Sequence, residues 1–547
     1  MRGFRDRIAA LTATVFLLVL MAVPFLWASR LDAQSGVKQI PVPPPPMGWS
    51  SWNSFSNTVN SQIILDEAKA MIDSGMAKAG YQYVNIDEGW WLGERDAQGN
   101  IVVPDKSWPA LAAGEHAGDM GNIVRAIHAL GLKAGIYTDA GMDGCSMYPD
   151  LGSAYQHTGS EGHYEQDFLQ FAQWGFDYVK VDWCGGDKEK LDPAVQYAEI
   201  ERAIEKAEAV TGRRLYYSLC EWGKNNPWTW APNVGGAPAD IWRTSGDIVA
   251  PIVPHQKFSG RLASFPGVLS NFDQGVHPEA QHTGFYNDPD MLVVGMPGLT
   301  DAQNRVHMGL WAISGAPLLA GADLTTMSGA TRATLTNADV LAVDQDTLGL
   351  QGVKAASDGE GLEVWSKALA TAGERAVLLL NRTGDPAAIT ARWSDLGLDP
   401  NGSATVKDIW TGKELGSFPS GYSATVQPND AMMVIVRGSE GRLNTYKPSG
   451  GTEVSKGHEV SFAQVSARVP MARVRITYSN PDKTPRYAEL RVNGQIATRI
   501  AFPPTGSGNS LGAVWVEALV DRSGATNDLH FAAICDSGPT IESIAVE

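Results

Sequence analysis

Cysteine and positive charge are both scarce in this chain. Lysine and arginine number 43 against 60 aspartates and glutamates, a formal charge of −17 over 547 residues. A phosphate backbone needs the opposite field, so no nucleic-acid partner is expected. Four cysteines are too few for a disulfide scaffold, and neither CxxC nor HExxH occurs, so a structural zinc site has little support. Charged residues make up only 19% and apolar residues 44%. That balance excludes a disordered or fibrous chain and supplies a large core.

What is present points to a multidomain secreted protein. At roughly 100–200 residues per domain, the length predicts about three domains. Tryptophan (17) outnumbers tyrosine and phenylalanine (15 each), which suits either sugar stacking or simply a large core. Arg2, Arg5 and Arg7 precede an uncharged apolar run from Ile8 to Ser29, the pattern of an export signal over residues 1–34. The run is also long enough to span a bilayer, so an uncleaved anchor is the alternative, and contact with a membrane is expected only in that case. Either way the rest of the chain is expected to work as a secreted or periplasmic protein. Residues 35–46 end in the proline run Val42–Pro46, which reads as a linker.

A unit of helix, glycine, apolar strand and acid then recurs. Ser61 is expected to cap a helix with Ile64, Ala68 and Met71 on one stripe, ended by Gly80. The next stripes are Met120, Ile123, Ile127 and Leu130, stopping at Gly131, then Tyr164, Phe168 and Phe171, stopping at Gly175. Asp192 and Pro193 open a fourth, with Tyr197, Ile200, Ile204 and Ala207. Eight candidate strands, "MGWSSW", "YQYVNID", "LKAGIYTD", "FDYVKVDW", "YYSLCEW", "IWRTSGD", "DPDMLVVG" and "PLLAGAD", predict an α/β (β/α)8 barrel over 47–346. An open doubly wound sheet is the alternative, but no G-x-G-x-x-G follows an early strand. Short strands without helical stripes predict an antiparallel β-sandwich over 351–437 and a second, jelly-roll-like all-β domain over 452–547.

The barrel's C-terminal face holds its chemistry, so side chains ending strands are the candidates. They are Asp87 and Glu88, Asp139, Asp182, Glu221, Asp247, Asp290 and Asp323. Asp139 and Asp323 read equally well as caps of the elements that follow. No histidine joins these acids, so metal-assisted hydrolysis is disfavoured and two-carboxylate glycoside hydrolysis fits better. Lys180 and Asp182 share a strand face, and the ammonium is expected to hold Asp182 ionised. Arg243 and Asp247 share a face likewise. Cys145 and Cys184 each end a strand-like segment and could form one bridge, with no evident partner for Cys220 or Cys535.

At this point a resemblance becomes specific. "PPMGWSSWNSF", "VNIDEGWW", "GIYTDAG", "YVKVDWCGGD", "LCEWG", "WRTSGDI" and "YNDPDML" occur in order, and together they resemble glycoside hydrolase family 27, the α-galactosidase or melibiase family. The resemblance implies a retaining double displacement on a carbohydrate substrate, with no metal or cofactor. It implies Asp182 as nucleophile and Asp247 as general acid/base. It also places Trp49, Asp87, Tyr137, Lys180, Glu221 and Arg243 in a galactose pocket, with Asp290 and Met291 on its outer wall. The Cys145–Cys184 bridge matches a family pattern as well. Glu88 departs from the usual paired aspartates. Its extra methylene is expected to leave less room for a C6 hydroxymethyl, and "IDEGWW" resembles the β-L-arabinopyranosidase members. The last segment resembles a family 35 or family 6 carbohydrate-binding module. A secreted, non-catalytic carbohydrate-binding protein is the reading from another class.

Overall fold

The computed structural model describes residues 37–91, 93–145, 158–236, 239–248, 262–469, 471–506, 509–520 and 526–547. The expected leader, residues 1–34, lies outside them. The helix Ser61–Asp73 buries Ile64, Ala68 and Met71. Asn60 caps it rather than Ser61, because the Asn60 side chain accepts from the Ile63 N–H at 3.1 Å. Helices Gly121–Ala129, Tyr164–Trp174 and Pro193–Thr211 follow. Leu130, expected on the buried stripe of the first of these, is its C-cap and is 40% exposed. Asp192 caps the long helix, accepting from the Val195 N–H at 3.3 Å, with Pro193 in its first turn.

Between the helices run eight parallel strands: β1 (Met47–Ser50), β2 (Tyr83–Asn85), β3 (Lys133–Asp139), β4 (Tyr178–Asp182), β5 (Tyr216–Leu219), β6 (Ile241–Arg243), β7 (Tyr286–Asp288) and β8 (Leu318–Ala320). They pair in the order β7-β6-β5-β4-β3-β2-β1-β8. The sheet is a (β/α)8 barrel, and its seam is closed by Leu292. The Leu292 N–H donates to the Leu319 carbonyl and its own carbonyl accepts from the Gly321 N–H, each at 2.8 Å. The seventh strand was expected over Asp288–Gly295 but ends at Asp288. Pro289 has no N–H for the ladder, and Asp290 sits at φ 101°, so the chain turns there before Leu292 rejoins the sheet.

Beyond the barrel, strands Val353–Ser357, Leu362–Ala368, Glu374–Asn381, Ser403–Asp408, Glu414–Pro419 and Asp430–Arg437 make an antiparallel sheet. It faces a two-stranded antiparallel sheet, Ala387–Arg392 with Gly421–Val426, across an apolar core. The last domain packs a sheet built on Met471–Ser479, Gly512–Leu519 and Ser537–Val546 against Val460–Val465, Arg486–Val492, Gln495–Phe502 and Asn527–Ala533. Lys38–Gln39 pairs in parallel with Gly512–Ala513 of that domain, and Ile40 enters its core. The proline run after it is tied to the barrel. Val42 N–H donates to the Thr347 carbonyl at 3.1 Å, and Gln345 Nε2 donates to the Pro45 carbonyl at 3.0 Å. No helix among the described residues is long and apolar enough to cross a membrane.

Candidate active site

Parallel register sets the first half of the site. β3 and β4 align Tyr137 with Lys180 and Asp139 with Asp182, so Lys180 and Asp182, two apart, face one side. Lys180 Nζ lies 3.0 Å from Oδ2 of Asp87, two residues past β2, and 3.7 Å from Asp182 Oδ2. It also stands 5.2 Å from the Tyr137 ring centre. Burial works against the ammonium, but Asp87 and Asp182 more than offset it and raise the Lys180 pKa. Lys180 favours the ionised form of Asp182, as expected from their shared face, but burial works against it. Burial pushes its carboxyl above the ordinary value, Asp87 and Asp247 add to the rise, and Lys180 opposes without overcoming it.

Arg243, ending β6, organises the other half. Its Nη2 reaches Asp290 Oδ2 at 2.9 Å, Asp247 Oδ1 at 3.0 Å and the Gly246 carbonyl at 3.0 Å. Its Nη1 lies 3.8 Å from Cys220 Sγ. Asp290 is buried, whereas the Asp247 side chain is 47% exposed. Asp290 also accepts from the Met291 N–H at 2.7 Å and the Ile248 N–H at 2.8 Å. Burial pushes the Asp290 carboxyl up to about 7, with Arg243 opposing and the Asp247 charge adding. Glu221 is buried and accepts from the backbone and side-chain N–H groups of Asn225 at 2.8 and 2.9 Å. Burial raises it to about 7 as well. Its Oε1, the Tyr137 hydroxyl and Arg243 Nε have no hydrogen-bond partner among the described residues. Unpaired polar atoms in a buried site are costly and await a polar ligand.

A cavity inside the ring is lined by Asp87, Lys180, Cys220, Arg243, Asp288 and Asp290, among others. Asp288 is the wall residue that sequence reasoning missed. With the seventh strand ended at Asp288, the same strand-end rule would have found it. Trp49 is buried and donates from Nε1 to the Ala322 carbonyl at 2.9 Å. Met291 packs with Trp52 and Leu319. Glu88 has no exposed surface and does not line this cavity. A Cβ added at Gly144 would lie 2.6 Å from Glu88 Oε1 and 3.1 Å from the Trp91 ring, so the longer carboxylate occupies the space that glycine leaves.

The two ambiguous acids are caps. Asp139 accepts from the Gly141, Cys184 and Gly185 N–H groups at 2.8, 2.7 and 3.0 Å. Asp323 accepts from the Thr325 N–H at 2.9 Å. The Cys145–Cys184 disulfide is present, with its Cα atoms 5.0 Å apart, while Cys220 and Cys535 are free thiols. Asp139, Cys145 and Cys184 bring ligand-type atoms together, but both sulfurs are committed to the bridge.

Comparison with known proteins places this site in context. A family model described as alpha galactosidase A matches residues 44–346, and one for the alpha galactosidase C-terminal beta sandwich domain matches 359–436. Residues 459–546 match an alpha-galactosidase CBM13 domain, which replaces the family 35 or family 6 assignment expected for the last segment; alternating strands alone do not separate such β-modules. The chain is 38% identical over 395 residues to an alpha-galactosidase of Oryza sativa, covering 72% of this chain and 84% of that one. It is 43% identical over 352 residues to alpha-galactosidase A of Cellvibrio japonicus, covering 64% and 79%. The crystal structure of alpha-galactosidase I from Mortierella vinacea superposes with a TM-score of 0.62 at 30% identity, covering 73% of this chain and 98% of that one. On these matches and on the barrel that carries the site, the chain belongs to the α-galactosidase (melibiase) family of glycoside hydrolases.

Proposed function

We propose that this protein is a retaining exo-glycosidase that removes terminal α-D-galactosyl residues from oligo- or polysaccharides, with Asp182 as nucleophile and Asp247 as general acid/base. The carrying observation is the contrast between two carboxylates, one buried beside Lys180 and the other half-exposed at the mouth beside Arg243. A buried carboxylate next to an ammonium can attack the anomeric carbon from the closed side. A half-exposed one can reach the departing oxygen and, later, a water. Asp182 forms the glycosyl–enzyme bond as the glycosidic bond breaks, and Asp247 gives its proton to the leaving oxygen. Asp247 then takes a proton from water as the hydroxide displaces Asp182, so two inversions restore the starting configuration. Asp87, Lys180, Tyr137, Glu221 and Arg243 would hold the sugar hydroxyls, and Trp49, Asp290 and Met291 would bound the pocket. A disulfide joining two barrel loops suits an oxidising, extracytoplasmic setting.

NMR of the first-formed sugar tests the reading: α-galactose should appear first, and β-galactose appearing first would overturn retention. Asp182→Asn should lose turnover while still binding galactose. A wild-type protein inert on aryl α-galactosides would leave the non-catalytic binding protein as the better account. Glu88 supports a second substrate, β-L-arabinopyranosides, because this sugar has the same ring stereochemistry without the hydroxymethyl. Comparing kcat/KM on the two aryl glycosides decides between them.

A further inference from the structure

An acid catalyst must carry its proton, yet Asp247 lies 3.0 Å from a guanidinium that favours the charged form. The surroundings of Asp290 resolve this conflict. Its two oxygens accept from the Met291 and Ile248 N–H groups at 2.7 and 2.8 Å, and Oδ2 forms an ion pair with Arg243 Nη2 at 2.9 Å. These partners favour the ionised carboxylate against the burial that raises its pKa, and none of them is an acceptor for a carboxyl proton. Its backbone is fixed as well: the N–H donates to Asp288 Oδ1 at 2.9 Å and the carbonyl accepts from Trp311 Nε1 at 2.8 Å. The residue holds φ 101°, a conformation costly for any side chain but glycine. One buried guanidinium thus serves two carboxylates, and a proton shared between them has an unfavourable place on Asp290 and a solvated one on Asp247.

We infer that Asp290 is a positioning residue: it takes up the Arg243 charge, anchors the Asp247 loop through the Ile248 N–H, and leaves the shared proton on Asp247. On the outer wall, a carboxylate committed to two backbone donors and a guanidinium is not primarily a contact for a sugar hydroxyl. The two acids compete electrostatically, since the Asp247 charge raises the Asp290 carboxyl, and the donors fixed on Asp290 are what oppose its protonation. Among the described residues, the other charged or titratable groups facing this pair are Asp288 and Asp182, with Lys180 and the Cys220 thiol behind them. The inference rests on the glycosidase reading, with Asp247 as the acid.

The experiment measures kcat/KM against pH on the full-length enzyme, using an aryl α-galactoside with a poor leaving group. Glycosylation needs protonated Asp247, so the wild-type profile should fall on the alkaline side through its pKa. Asp290→Asn and Asp290→Ser remove the compensating charge and should move that limb to lower pH by about one unit. Asp290→Glu keeps the charge and should leave the limb near its wild-type position whatever it does to kcat. Either neutral variant that retains the wild-type melting temperature within a few degrees serves, and both being folded with an unmoved limb overturns the inference. Asp247→Ala supplies the separate control. It should abolish the limb and spare substrates with very good leaving groups. If Asp247→Ala keeps the limb, the assignment of Asp247 as the acid is what fails.

Discussion

Glu88 is accommodated because residue 144 has no side chain. The carboxylate lies where a Cβ of residue 144 would come within 2.6 Å, so the extra methylene is absorbed by a loop glycine rather than by the strand. Glu88→Asp withdraws the carboxylate from that space. It should raise the galactoside-to-arabinopyranoside ratio of kcat/KM by something on the order of tenfold, if one methylene decides the fit. Gly144→Ala forces the Glu88 carboxylate off its position and should also change the ratio; neither variant altering it would mean that Glu88 does not sense the sugar's C5 substituent. Asp182 makes a second prediction at this scale. Burial raises its pKa above the ordinary 3.8, and a nucleophile must be ionised. The acid limb of kcat/KM should therefore lie above pH 3.8, with activity lost as pH falls through the raised pKa. A profile flat down to that pH would contradict the raised value. The strand-end acids were legible in the sequence because period and chain order place them. The direction of their pKa shifts was not, because burial by residues far along the chain opposes the neighbouring lysine at Asp182.

At the scale of elements, the helix stripes were readable, but not every stop: the helix from Ser61 ends at Asp73, and Gly80, expected to end it, closes a separate turn of helix, Met76–Ala79. Gly175 and Asp192–Pro193 stand at the ends they were expected to mark. The seventh strand was misplaced because an apolar run, Met291–Val294, reads as a strand whether or not a proline precedes it. The backbone turn at Asp290 has no signature in residue type beyond that proline. Asp139 shows the opposite case, an acid that looked catalytic by position but serves three backbone N–H groups, one in the loop after β3 and two in the first turn of the Cys184–Glu189 helix that follows β4. Asp139→Ala leaves those donors without an acceptor at the site of the disulfide, and should destabilise the fold by about 1–3 kcal/mol. Asp139→Asn keeps one acceptor and should lose less. Denaturant unfolding of both variants checks the order, and equal losses would mean that the carboxylate is not acting through these bonds.

At the scale of the whole molecule, the last domain is bolted to the barrel rather than tethered to it. Lys38–Gln39 and Ile40 are built into its sheet and core, while the proline run that follows holds the barrel. Its aromatic side chains, Tyr446, Phe462, Tyr478, Tyr487, Phe502, Trp515 and Phe531, are all buried or half-buried. None offers an exposed platform for stacking on a sugar. Retention of the Asp182→Asn variant on an immobilised galactoside polymer should therefore be abolished by free galactose; binding that survives it would reveal a sugar site on this domain. The docking itself turns on a neutral histidine. Thr498 donates to the Glu279 carbonyl, which leaves its oxygen to accept from His282 Nε2 at 2.7 Å. Ala501 N–H donates to Thr283 Oγ1 at 3.4 Å, which leaves that hydroxyl to donate to His282 Nδ1 at 3.0 Å. Both nitrogens are thus committed in the Nε2–H tautomer, and a second proton on Nδ1 would set two donors against each other. Burial accordingly lowers the His282 pKa from 6.5 to about 4. A folded-state pKa below the unfolded one means that protons favour unfolding. The stability this site contributes is full above pH 6.5 and is lost progressively down to pH 4, by about 3 kcal/mol in all. Melting temperature measured across that window should fall less steeply in His282→Gln, which keeps a donor and an acceptor but cannot be protonated. Parallel curves for the two proteins would place the acid sensitivity elsewhere.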